Sequence, residues 1–237
     1  GYEKVFFVEA LSTLNVKEVV GRACKVCGER ICVITNAQHV HKVEEIVKLL
    51  SSMEKDVVVL CPKGRAVYPA QVLGCDLSCA KGECEDVLYV GSGDFHPKGA
   101  CLASKKRVVI ADPYLNQVRI VQYEDLIKER IALVERCREC RNFGILIGMK
   151  RGQHRPELAN RLAEMIRKEG FTATLVSMDV VTPDKVASFS FDCWVNTACP
   201  RISIDDYRMY EDPIITPFEL EILLGRRSWD EYQMDEF

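Results

Sequence analysis

The sequence predicts an α/β fold of two related parallel-sheet domains in tandem. Three observations carry that expectation. Apolar runs of strand length alternate with amphipathic helical stretches along the chain, the order that parallel sheets covered by helices require. The order strand, polar loop, amphipathic helix occurs twice, as ICVITNAQHVHKVEEIVKLL (31–50) and FGILIGMKRGQHRPELANRLAEMI (143–166). Both loops carry Gln-His, at Gln38-His39 and Gln153-His154, the mark of a faint internal repeat. A chain of 237 residues also has the length of two ordinary domains.

The elements follow in order. Val5-Phe6-Phe7-Val8 reads as a buried strand, residues 15–26 as a helix stopped by Gly28, and Ile31–Ile34 as the next strand. Val43, Ile46, Val47 and Leu50 fall at i, i+3, i+4, i+7 and mark a helix. Val57–Leu60, Val87–Val90 and Val108–Ala111 read as strands, and residues 123–140 as a helix with Ile127, Ile131 and Val134 on one stripe. The pattern then restarts. Gly144–Gly148 is a strand, Leu158, Leu162, Met165 and Ile166 line a helix, Thr172–Val176 is a strand, and Trp194-Val195 belongs to one more. The domain boundary is expected near Cys140 to Phe143, giving domains 1–141 and 142–237. This organisation is that of two related flavodoxin-like parallel-sheet domains. Residues 229–237, acidic and aromatic, read as a disordered end.

Composition excludes several classes. Apolar residues make up 48% and charged residues 28%, and the net charge is -3. No overall basic field calls for nucleic acid, and Lys105-Lys106-Arg107 and Lys150-Arg151 read as solvated edges. No apolar run approaches the ~20 residues of a membrane helix. No secretory signal pattern opens the chain, so a cytoplasmic protein is expected. Cysteine is the outlier, with twelve. A disulfide scaffold is normally short and loop-rich, so these thiols are expected to be buried or metal-binding.

In parallel sheets ligands bind beyond the carboxyl ends of the strands. Asn36–His39, Gly91–Pro97, Met149–Gln153 and Asn196–Cys199 all fall at such ends and would line one cleft if the two domains face each other. Gly91-Ser92-Gly93-Asp94-Phe95-His96-Pro97 could offer backbone amides to an anion, or be a plain strand-to-loop turn. It is not a dinucleotide fingerprint. His39 and His41 are two apart at a helix start and point in different directions, which favours one cleft histidine over a two-histidine metal site. Cys24/Cys27 and Cys137/Cys140 form CxxC pairs that could make a zinc site. Each pair ends a helix rather than opening one, which counts against a thioredoxin-like redox motif. Cys75 and Cys199 have no partner at two-residue spacing. A metal group held by them needs each thiolate from a different loop, as scattered iron–sulfur ligands are.

Six segments in register, QHVHK (38–42), YPAQVLGCD (68–76), GSGDFHP (91–97), KRGQ (150–153), NTACPRISIDDY (196–207) and PIITPFELEILLG (213–225), resemble the diphthamide synthase family, archaeal and eukaryotic. The resemblance runs from about Val5 to Gly225. It implies a [4Fe-4S] cluster held by three cysteines, one from each of three related domains, with S-adenosylmethionine at the open iron. It implies a radical mechanism that moves a 3-amino-3-carboxypropyl group to a histidine of translation elongation factor 2, the first step of diphthamide biosynthesis. It implies homodimers in archaea and heterodimers in eukaryotes, so a homodimer or a heterodimer with a full-length paralogue is expected here.

Cys75 in VLGCD matches the family's middle cluster ligand and Cys199 in NTACPR the last. Pro200 disfavours helix at Cys199 and suits an extended loop. His39, Gly91, Gly93, His96 and Gln153 are expected to hold the cosubstrate. The family's first domain, with its cysteine, is expected before Val5 and has no counterpart here. Three readings follow: a fragment, a short support subunit beside a full-length partner, or recruitment of Cys79 or Cys84 as a further ligand. A zinc-stabilised α/β binding module built on the CxxC pairs is the reading outside the family.

Overall fold

The structure is a computed structural model that describes Val8 and residues 10–237. The expected strand at Val5–Val8 lies outside the described residues except for Val8, which is exposed and in no strand. The chain divides into two compact units, Gly1–Tyr123 and Glu124–Phe237.

In the first unit, strands β1 (Arg30–Thr35), β2 (Asp56–Val58), β3 (Asp86–Val90), β4 (Val108–Asp112) and β5 (Gln117–Val121) form one sheet in the order β2-β1-β3-β4-β5. The first four are parallel, as expected, but β5 runs antiparallel to β4. A tight turn with Asn116 at φ 50° makes that hairpin. The central strands are buried on both faces. Ile31, Val33, Leu88, Val90, Val109 and Ala111 share one cluster with Val19, Val20 and Ala23 of helix α1 (Lys17–Cys24) and Ile46 and Leu50 of α2 (Val43–Ser52). The alternate residues Cys32, Ile34, Tyr89 and Ile110 face the other way and are equally buried. The crossover from β3 to β4 runs opposite to that from β1 to β2, so right-handedness puts its helix, α3 (Phe95–Ser104), on that second face.

Sequence patterning did not predict α3. Phe95, Pro97, Gly99, Ala100, Cys101 and Leu102 are all buried, so no polar face shows a helical period.

In the second unit, β6 (Asn142–Gly148), β7 (Thr172–Met178), β8 (Cys193–Asn196) and β9 (Ile214–Ile215) form an all-parallel sheet in the order β7-β6-β8-β9. This repeats the order of the first four strands of the first sheet. Phe143, Ile145 and Ile147 pack with α4 (Tyr123–Arg136), α5 (Pro156–Lys168) and α8 (Pro217–Leu223). Leu146, Trp194 and Ile214 pack on the other face with Val186 of α6 (Pro183–Val186) and Ile202 of α7 (Arg201–Ile204).

The expected boundary at 141/142 falls after α4, whereas the compact units part before it. The reason is packing: Leu133 and Val134 of α4 belong to the second unit's core. So does Arg130, 2% exposed, which grips Glu219 through Nε at 2.7 Å and Nη2 at 2.6 Å and donates to the Ser203 carbonyl at 2.7 Å. Glu219 also accepts from the Thr216 amide, in the capping box of α8, and from the Tyr232 hydroxyl. A buried charged network of this kind fixes register between elements. It also departs from the expectation of a disordered end: Tyr232 and Met234 are buried.

Candidate functional site

In the first unit the chain leaves β1 and β3 in opposite directions, so their carboxyl ends open a crevice where ligands of such sheets bind. Asn36 follows β1. Its side chain accepts from the Gln38 amide at 3.1 Å and donates to the Tyr89 hydroxyl at 3.3 Å. Gly91 follows β3, where a Cβ would lie 2.8 Å from the Tyr89 hydroxyl oxygen, so only glycine fits. Gly93, at φ 83°, has open space where a Cβ would point and lines a cavity of about 670 Å³. Ser92, Asp94, Asp112, Tyr114 and Arg119 line it too. Asp112, buried, accepts from the Ser92 hydroxyl at 2.8 Å and the Tyr114 and Leu115 amides at 2.9 and 3.1 Å. Arg119 pairs with Asp94 and stands 3.8 Å from Asp112.

The expected site residues divide here. Gly91, Gly93 and His96 gather at this edge, with His96 in the first turn of α3 stacked on Tyr89 at 6.1 Å. His39 does not line the cavity. It is fully buried, meets Tyr114 edge-on at 6.0 Å, and neither ring nitrogen has a hydrogen-bond partner among the described residues. Burial, then the charges of His41 and Lys42, hold it below its usual pKa, hence neutral. Its neighbour Gln38 lines the cavity instead. Gln38 and Ser92 lie in the loops that the sequence marked, whereas Asp112 and Arg119 were not singled out by sequence. Arg119 and Asp112 sit on the two arms of the unforeseen hairpin.

Cys75 stands at the same edge. Residues 70–72 pair with the last residue of β1: the Thr35 amide donates to the Ala70 carbonyl and the Val72 amide to that of Thr35. Leu73 and Asp76 then exchange amide–carbonyl bonds, leaving Gly74 and Cys75 as the tip of a tight turn. A Cβ on Gly74 would lie 2.0 Å from Phe95, so the tip rests on the start of α3. Asp76, 4% exposed, anchors the turn. Its carboxylate accepts from the Ala66 amide at 2.8 Å, the Ser78 hydroxyl at 2.6 Å and the Ser78 amide at 3.2 Å. Burial works to raise its pKa, but these bonds together hold the carboxyl below the usual range.

In the second unit the corresponding edge lies beyond β6 and β8. Asn196 ends β8, donates to the Cys199 carbonyl at 2.8 Å and accepts from the Ala198 amide at 2.9 Å. Pro200 is the N-cap of α7, so Cys199 lies just outside a helix, half-exposed. Arg155 holds this loop from the side. It donates to the Thr197 carbonyl at 2.8 Å and to that of Ala198 at 3.4 Å. Its other contacts are two bonds to Asp235, at 2.9 and 2.6 Å, and the Phe237 ring at 3.8 Å. Gln153 is half-buried in the loop from β6 to α5. Gly148 keeps the two loops close: a Cβ there would meet Ala198 at 2.9 Å and the Gln153 carbonyl at 3.2 Å. Gln153 and the Cys199 loop are therefore neighbours.

The remaining cysteines are mostly structural, and none of the twelve forms a disulfide. Cys24 and Cys27 are buried in the first core and Cys137 and Cys140 in the second. Burial pushes Cys27 up to about 12, which opposes the thiolate a zinc ion requires. The Cys193 thiol donates to Cys137 Sγ at 3.4 Å, and the Cys140 thiol to the Asp192 carbonyl at 3.4 Å. Among the described residues no group of three or more His, Cys, Asp or Glu is arranged to hold a metal ion. Cys79, also considered as a further ligand, is fully buried and donates to the Leu60 carbonyl.

The model of the putative diphthamide synthesis protein family matches residues 2–233. The chain belongs to this family. Within the diphthamide synthesis family it is 38% identical over 235 residues to the 2-(3-amino-3-carboxypropyl)histidine synthase of Pyrococcus horikoshii, covering 99% of this chain and 66% of the relative. It is 28% identical over 218 residues to subunit 1 of that synthase from Schizosaccharomyces pombe, covering 88% of this chain and 50% of the relative. The crystal structure of Dph2 from Pyrococcus horikoshii with a 4Fe-4S cluster superposes with a TM-score of 0.86 at 35% identity. That match covers 95% of this chain and 66% of the other. The chain thus spans half to two thirds of these relatives. The residues present fit the family's cluster: Cys75 and Cys199 are half-exposed thiols on anchored loops at the carboxyl edges, while the core thiols are sealed.

Proposed function

We propose that the chain acts in 2-(3-amino-3-carboxypropyl)histidine synthesis. In this reading it transfers the 3-amino-3-carboxypropyl group of S-adenosylmethionine to a histidine of translation elongation factor 2, the first step of diphthamide formation. The observation that carries the reading is the placement of Cys75 and Cys199 on stiffened loops at strand carboxyl ends, matching two ligand positions of the family. These two thiolates are the chain's contribution to a [4Fe-4S] cluster. When bound, the cluster supplies the electron that cleaves the sulfonium cosubstrate.

The chain's own residues bind and orient. Gly91 and Gly93 bring backbone close to a ligand, and the amides at the start of α3 suit its carboxylate. His96 presents a ring already braced against Tyr89. Gln153, beside the Cys199 loop, offers an amide that donates and accepts. His39, neutral and buried, acts at one remove by supporting Tyr114 at the cavity wall. In family terms the first unit is the middle domain and the second the last.

The fungal relative's name, subunit 1, favours work within an assembly, and we assign the chain to a homodimer or a heterodimer with a full-length paralogue. No described helix is long and apolar enough to cross a membrane. Twelve cysteines with no disulfide favour a reducing compartment, the cytoplasm.

The test is anaerobic reconstitution with iron and sulfide, with iron and zinc counted and the reduced-state EPR spectrum recorded. Iron uptake that falls in both Cys75→Ala and Cys199→Ala, with a spectrum that shifts on adding S-adenosylmethionine, is the expected result. Uptake unchanged in both variants, or zinc in place of iron, overturns it.

A further inference from the structure

Cys84 lies apart from this site. It precedes β3 at the strand's amino end, whereas Cys75 and the Gly91–His96 loop gather at the carboxyl end. Five strand residues separate the two edges, about 16 Å, so Cys84 is no ligand of the same metal group as Cys75. Its surroundings are specific. The Lys106 ammonium donates to the carbonyls of Gly82 and Cys84, both at 2.8 Å, and stands 3.6 Å from Cys84 Sγ. An ammonium has three hydrogens. Two carbonyls fix its position and the third hydrogen is left for the sulfur. Cys84 is half-exposed, so a reagent reaches it.

Behind it is Cys32, fully buried on β1, whose thiol donates to the Cys79 carbonyl at 3.2 Å. Gly82 keeps the loop against Cys32: a Cβ there would be 3.2 Å from the Cys32 sulfur. The two carboxylates that follow Cys84 are engaged elsewhere. Glu85 accepts from the Glu29 amide, and Asp86 from the Gly28 amide and Arg107. The Cys32 thiol beside it, then the charge of the Lys106 ammonium, outweigh burial and bring the Cys84 thiol down to about 6. The neighbouring Cys84, then burial, push Cys32 the other way, so it stays a protonated thiol.

We propose that Cys84 is a modification site, a nucleophilic thiolate that reacts with soft electrophiles and hydroperoxides, with Cys32 as the thiol that resolves its oxidised form. The thiolate attacks the distal oxygen of the hydroperoxide. The O–O bond breaks, an S–O bond forms, an alkoxide or hydroxide leaves, and the sulfur gives up two electrons. The Cys32 sulfur then attacks the sulfenic acid. An S–S bond forms, the S–O bond breaks, and the Cys32 proton departs with the hydroxyl as water.

The experiment is competitive alkylation of the full, reduced chain at pH 6 with limiting iodoacetamide, read by peptide mapping. Cys61, the exposed thiol, serves as the internal standard. The gain in thiolate fraction outweighs the lower intrinsic nucleophilicity at this pH, so Cys84 is expected to react roughly tenfold faster than Cys61. Lys106→Met removes most of that lead. Hydroperoxide treatment yields a peptide pair joined through Cys32 and Cys84, and Cys32→Ala instead accumulates a dimedone-reactive Cys84. Alkylation of Cys61 ahead of Cys84 in the unsubstituted chain overturns the proposal, and needs no variant to fold. A lead that survives Lys106→Met overturns the role of the ammonium, and a Cys84 disulfide to any other cysteine overturns that of Cys32.

Discussion

Cys75 and Cys199 occupy comparable places in two sheets of the same strand order, yet the chain holds them in different ways. The Cys75 turn is fixed locally. Asp76, next in sequence, collects donors from Ala66 and Ser78, and the tip rests on Phe95. The Cys199 loop has a local anchor too, Asn196, and in addition a remote one, Arg155 with Asp235 behind it. Both loops carry a side-chain anchor within the nearby sequence, and the second adds one from a distant loop and from the last residues. Local anchoring makes a loop robust to events elsewhere, whereas remote anchoring ties it to the integrity of its whole unit.

Substitutions can break this contrast. The largest effect is expected for Glu219→Ala, which strands the buried Arg130 guanidinium and frees Tyr232. It should cost about 3–5 kcal/mol in denaturant unfolding of the second unit, and should raise thiol-reagent access at Cys199 while leaving Cys75 unchanged.

Asp76→Ala is the counterpart, expected to cost ~2–3 kcal/mol because two amides and a hydroxyl lose their acceptor. Here Cys75 access should rise and Cys199 access stay constant. The same carboxylate predicts a pH dependence. Its pKa is depressed on folding, so its stabilisation is complete above the ordinary unfolded carboxylate value and is lost as pH falls below about 4. The stability gap between the unsubstituted chain and Asp76→Asn should be flat from pH 5 to 7 and close below that window.

Gly74→Ala drives a methyl group into Phe95 and should destabilise by about 1–3 kcal/mol. Phe95→Leu in the same chain should recover part of the loss, as thermal unfolding of the single and double variants would show. The smallest effect is expected for Asp235→Ala, about 1–2 kcal/mol, since Arg155 retains its carbonyl partners. Its diagnostic is faster labelling of Cys199 alone. Equal labelling changes at both cysteines in any of these variants would dissolve the contrast.

The sequence made much of this legible. Ile31–Ile34, Val87–Val90 and the Leu158–Ile166 stripe announced themselves because each is a short apolar run or a clean helical period, and β1, β3 and α5 fall where those signals lie. Cys75 and Cys199 were found through their motifs; the Cys199 loop lies at a strand end that the alternation implied, whereas the Cys75 turn reaches the edge through residues 70–72 pairing with Thr35. Other features left no local trace. Helix α3 is buried on most sides, so it has no amphipathic period. β5 is an exposed edge, in which Arg119 interrupts an otherwise ordinary pattern. His39 was expected at the cavity, but only the packing of Tyr114 reveals that it lies behind the wall. Arg155 and Asp235 are 80 positions apart, and no spacing rule relates such a pair. Helix α4 was foreseen, but its allegiance to the second unit depends on Arg130 and Glu219, which meet only in three dimensions.

The tether from Arg155 to Asp235 also sets an order of events as the protein is made. The turn that carries Cys75 has its partners once synthesis has passed Phe95, so it can mature while the second unit is still being translated. The brace on the loop that carries Cys199 is complete only at residue 235. Until then Arg155 lacks its carboxylate partner, and the two halves of the fold become competent at different times.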